Sequence, residues 1–76
     1  MNQKRFGQNL RIYRIKNALS QKELSVSTGL SVSHISHLEN GTARVSIDSL
    51  LSLCHALGVS PGRLLLGCSG KESSDK

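Results

Sequence analysis

The chain has 76 residues, enough for one domain but too few for a core that shelters an elaborate active site. With 10 Lys and Arg against 5 Asp and Glu it carries a net charge of +5, the balance of a phosphate binder rather than of a partner for basic surfaces. No stretch approaches the roughly 20 apolar residues of a membrane span and no apolar signal-peptide core opens the chain, so no membrane association and a cytoplasmic location are expected.

The elements predicted along the chain are all helical. The first covers about residues 3–17, with Phe6, Leu10 and Tyr13 at helical spacing. The positive charge concentrates here: residues 1–22 hold Lys4, Arg5, Arg11, Arg14, Lys16 and Lys22 and no acid. Ser20, with Glu23 three positions on, forms a capping box that opens a second helix ending near Thr28. Gly29 supplies a hinge that only glycine adopts cheaply, and Ser31 caps a third helix over about residues 32–39. Leu24, Thr28, Leu30, Ile35 and Leu38 face inward across this pair. Asn40-Gly41 stops the third helix. Ser46 caps a fourth, with Asp48 in its positive first turn and Leu50, Leu53, Cys54 and Leu57 on its core face; Gly58 ends it. Ser60-Pro61 opens a fifth, followed by Leu64, Leu65 and Leu66. The reading is an all-α, compact five-helix domain over residues 1–67 and a disordered polar tail over 68–76. Within it, residues 21–40 read as two short helices hinged at glycine. The outer face of the second carries Val32, Ser33, Ser36 and His37, short and mostly polar, which suits insertion into the major groove of DNA.

The chain from Phe6 to Gly67 resembles the DNA-binding domain of the lambda repressor and Cro group, the XRE family. The residues that carry the resemblance are Arg11 and Arg14, then Leu19-Ser20-Gln21 with Glu23-Leu24, then Gly29, Ser31, Ile35-Ser36 and Leu38-Glu39-Asn40-Gly41, and last Leu57-Gly58-Val59-Ser60. They occur in the family's order and spacing. Ser25 departs from the alanine usual at its position but is small enough to fit. The resemblance implies a helix-turn-helix at the second and third helices.

It also implies roles. Val32, Ser33 and His37 match base-reading positions, flanked by Ser36 and His34. Val32 touches a thymine methyl or closes the seam with the second helix; Ser33 discriminates weakly; His37 donates to guanine or, when charged, meets a phosphate. Gln21 matches a phosphate ligand beside a helix N-terminus. Lys22, Arg11, His34, Asn40, Thr42 and Arg44 are further phosphate candidates, giving affinity and salt dependence without sequence choice. Arg14 and Glu39 match an internal ion pair tying the first helix to the end of the third. Val59, Pro61 and Leu66 lie where two copies meet in the family, and a homodimer reading an inverted-repeat operator is expected.

Other chemistries find little support. Three His and two Cys show no metal-ligand spacing, so neither metal nor cofactor is expected. Cys54 reads as a small buried hydrophobe and Cys68 as part of the flexible tail, so no disulfide is expected. No nucleophile motif or phosphate loop marks an enzyme. The leading expectation is a DNA-binding transcriptional regulator, in particular a repressor. The alternatives are an antitoxin that binds both DNA and a protein toxin, and a protein-interaction module on the same fold.

Overall fold

A computed structural model describes residues 1–68. Among these residues the chain forms five helices: α1 Gln3–Lys16, α2 Gln21–Thr28, α3 Val32–Asn40, α4 Ile47–Leu57 and α5 Pro61–Leu64. The helix starts follow the serines. The Ser20 side chain accepts from the Glu23 N–H at 3.0 Å while Glu23 accepts from the Ser20 N–H at 2.8 Å. Ser31, Ser46 and Ser60 each accept from the amide three residues on. Each bond satisfies a donor that the first helical turn leaves unpaired. Gly29, Gly41 and Gly58 end α2, α3 and α4 in the left-handed conformation.

The end of α1 has no such signal in the sequence. Ala18 takes the left-handed conformation there, at φ 56. The Ala18 N–H donates to the Ile15 carbonyl at 2.9 Å and the Leu19 N–H to the Arg14 carbonyl at 3.1 Å. That pair of bonds is a Schellman motif, and Leu19 packs against the core beside it.

Phe6, Leu10, Leu24, Ile35, Leu38, Leu53 and Leu64 form the centre of the core, with Leu50, Cys54 and Leu57 around them. Each large side chain withdrawn from water contributes about 1.5–3 kcal/mol. α1 packs on α3 and α5, α2 on α3 and α4, and α4 on α5. Gly7 lets α1 approach the carbonyl end of α3.

One boundary is corrected. Cys68 does not belong to the polar tail: it is 1% exposed and joins the core. Its carbonyl accepts from the Asn2 N–H at 2.8 Å, which ties the two ends of the domain together. A free cysteine is as readily buried as a small aliphatic side chain, and the surrounding Gly and Ser hide this in the sequence. The remainder of the expected tail, residues 69–76, lies outside the described residues. Cys54 and Cys68 are both free, and burial pushes both thiols above their ordinary pKa; Arg5 and the N-terminus oppose this at Cys68. No helix of the described residues is long and apolar enough to cross a membrane.

Candidate nucleic-acid interface

α3 is held from behind and open in front. Ile35 and Leu38 are fully buried, while Val32, Ser33, His37 and Asn40 are exposed and Ser36 is half-buried. These outward positions follow the helical repeat and share one face. Val32 keeps 41% of its surface exposed. The α2–α3 turn is held by side chains. Thr28 Oγ1 donates to the Leu24 carbonyl at 2.8 Å and accepts from the Leu30 N–H at 3.2 Å. Ser25 Oγ donates to the Leu30 carbonyl, a bond the family's alanine cannot make.

The two ends of the face are anchored differently. At its start, the Ser31 side chain accepts from the His34 N–H at 3.0 Å. At its end, Arg14 Nε donates to Glu39 Oε2 at 2.5 Å and Arg14 Nη2 to Glu39 Oε1 at 3.1 Å. This fork is 13% exposed at Arg14 and 5% at Glu39. Arg14 Nη1 also donates to the Leu19 carbonyl at 2.8 Å. The hydrogen bonds that Arg14 donates to Glu39 raise the Arg14 pKa above the usual guanidinium value; desolvation opposes the rise and charge attraction adds to it. α3 is therefore fixed to α1 through charge-assisted bonds in a nearly dry setting.

Gln21 joins the same network. Its Nε2 donates to Glu39 Oε1 at 3.1 Å, and the side chain is half-buried. One of the two amide protons of Gln21 is thus used within the protein. Spacing in the sequence gives no hint of this contact. The other phosphate candidates Arg11, Lys22, Asn40, Thr42 and Arg44 are exposed, and His34 is half-buried. Arg44 borders a surface hollow with Met1, Gln3 and Val45. The described residues contain no group of three or more His, Cys, Asp and Glu placed to hold a metal.

At the far end of the domain, Pro61 and Leu66 are exposed and Val59 is half-buried against the core. Asn9, which sequence reading passes over, sets the Leu66 backbone: its Nδ2 donates to the carbonyls of Leu64 and Leu66 at 2.9 Å each.

Buried behind and mostly polar in front, α3 has the form of a major-groove reader. A helix-turn-helix family model matches residues 10–64. The chain belongs to this family. Control protein C.BamHI of Bacillus amyloliquefaciens is 41% identical over 61 residues, which span 79% of this chain and 75% of that protein. The crystal structure of the restriction-modification controller protein C.AhdI from Aeromonas hydrophila superposes with a TM-score of 0.78 at 38% identity, covering 80% of this chain and 92% of the other. The clp gene regulator ClgR of Corynebacterium glutamicum superposes with a TM-score of 0.81 at 34% identity, covering 86% of this chain and 69% of that one. The compact all-α fold and the helix-turn-helix at α2 and α3 are shared with these regulators. This helix-turn-helix chain is a DNA-binding transcriptional regulator, and its relatives are regulators rather than enzymes.

Proposed function

We propose that the chain is the controller of a restriction–modification gene set, a homodimeric repressor with no enzymatic activity of its own that binds an inverted repeat in the promoter it regulates. The observation that carries the DNA-reading part is the exposed face of α3, with Val32, Ser33, Ser36 and His37 as base contacts. Its rigid attachment through Arg14 and Glu39 supports a preformed reader. The restriction–modification setting is supported by the likeness to the restriction-modification controller protein C.AhdI.

In this reading Lys22, Arg11, His34, Asn40 and Arg44 meet phosphates, together with the second amide proton of Gln21. Two copies meet through Val59, Pro61 and Leu66, so that two α3 helices enter major grooves about 34 Å apart. The test is fluorescence anisotropy on duplex DNA from upstream of the chain's own gene, at about 150 mM salt with excess competitor. Nanomolar, competitor-resistant binding by two protomers is the expected result. Weak binding that competitor abolishes, or binding to protein alone, overturns the reading.

A further inference from the structure

The turn after α3 brings Thr42 against the imidazole of His37. Gly41, at φ 77, turns the chain so that its own N–H donates to the Leu38 carbonyl at 3.2 Å and the Thr42 N–H to the His37 carbonyl at 2.9 Å. This is again a Schellman motif. It folds the Thr42 side chain back over the last helical turn. There Thr42 Oγ1 lies 3.2 Å from the His37 carbonyl oxygen and 2.9 Å from His37 Nδ1.

A hydroxyl has one proton and two lone pairs. If Thr42 gives its proton to Nδ1, the contact with the carbonyl is not a hydrogen bond. If the proton goes to the carbonyl, which has a second lone pair beside the Thr42 N–H, the hydroxyl is free to accept from Nδ1–H. Only the second arrangement turns both contacts into hydrogen bonds, so it is favoured by one bond. It also uses both donors of Thr42, which removes Thr42 from the phosphate contacts expected from the sequence.

We infer that Thr42 locks His37 with its proton on Nδ1, so that the exposed Nε2 meets the DNA as a hydrogen-bond acceptor and selects a base with an exocyclic amino group in the major groove. Adenine offers N6 and cytosine N4; guanine offers only acceptors there, and thymine an acceptor and a methyl. This reverses the guanine contact expected for His37 from sequence. Thr42 is a positioning residue that acts on the base through the imidazole. The inference rests on the proposed base-reading role of α3.

The test deletes single atoms from the DNA. Selection of a randomised duplex library with the wild-type chain and with His37→Ala identifies the base pair whose preference depends on His37. Anisotropy is then measured, above the ordinary titration range of imidazole, on duplexes in which that adenine is replaced by purine or that cytosine by 2-pyrimidinone. Either replacement removes only the amino group. A roughly tenfold loss of affinity is expected for the wild-type chain, equivalent to about 1.4 kcal/mol. Thr42→Ser, which keeps the hydroxyl, retains that sensitivity. His37→Ala and Thr42→Val lose it, while thermal melting checks that Thr42→Val remains folded. Sensitivity to 7-deazapurine with indifference to the amino deletion overturns the acceptor assignment and leaves base reading standing. An identical selected sequence for wild type and His37→Ala overturns base reading by His37 itself.

Discussion

Gly7 on α1 lies directly against the carbonyl of Glu39 on α3, with no room for a side chain between them. A Cβ at Gly7 would stand 2.5 Å from the Leu38 carbonyl oxygen and closer still to that of Glu39. Alanine within a helix ordinarily gains about 0.5–1 kcal/mol over glycine. Here the obstacle is backbone, which cannot rotate away, so the overpacking cost of about 1–3 kcal/mol or more prevails. Gly7→Ala is expected to lower stability in urea titration. An unchanged or higher midpoint would mean that α1 and α3 do not approach as described.

The close approach sets Arg14 beside Glu39, and the pair is nearly dry. Arg14→Met or Glu39→Leu alone leaves a charge without its partner, which costs about 3–5 kcal/mol. Replacing both with apolar residues, Arg14→Met with Glu39→Leu, removes the unpaired charge and is expected to recover much of that loss. Denaturant titration of the four proteins decides the matter. Strictly additive losses would mean that the two side chains do not interact in solution.

Ala18 makes a prediction of the opposite sign. Its left-handed backbone costs an L-residue about 1–2 kcal/mol, and glycine removes that strain while losing about 0.4–1 kcal/mol to the entropy of the unfolded chain. Ala18→Gly is therefore expected to stabilise the domain by up to about 1.5 kcal/mol, at about 4–8 °C of melting temperature per kcal/mol in a domain this size. A lower melting temperature would show that Ala18 is not left-handed.

Features set by local chemistry were legible in the sequence: the serine caps, the glycine stops at Gly29, Gly41 and Gly58, and the core stripe of α4. Each depends on residues within a turn or two. Ala18 escaped because a left-handed turn at a non-glycine residue leaves no glycine to mark it in the sequence. The Asn9 clamp on Leu64 joins residues 55 apart in the chain, and the Gln21 contact with Glu39 joins residues 18 apart. No periodicity encodes such pairs. The outward face of α3 was legible as a set of residues, but the contact between His37 and Thr42 depends on where the turn at Gly41 delivers Thr42.

The two thiols test the corrected boundary at Cys68. Cys54 is 5% exposed and Cys68 1% exposed, and burial raises both pKa values. Thiolate is the reactive form, so both are expected to react slowly with a disulfide reagent in the native state and rapidly in denaturant. Their native rates should follow opening of the fold. Rapid modification of Cys68 under native conditions would return it to the tail.

Leu66 tests the proposed dimer. It is 65% exposed, so Leu66→Lys removes little core packing and is expected to change monomer stability by no more than about 0.5 kcal/mol. If two copies meet there, the introduced charges face one another across an apolar contact and association weakens by at least about tenfold, or 1.4 kcal/mol. Operator affinity falls with it, because each protomer then binds its half-site alone. Val26→Lys is the control: Val26 is 79% exposed, on α2, and outside the proposed contact. Sedimentation velocity across a concentration series separates the cases. Loss of dimer for Leu66→Lys alone supports the contact. Equal behaviour of the two variants, with dimers retained in both, would move the interface elsewhere on the molecule.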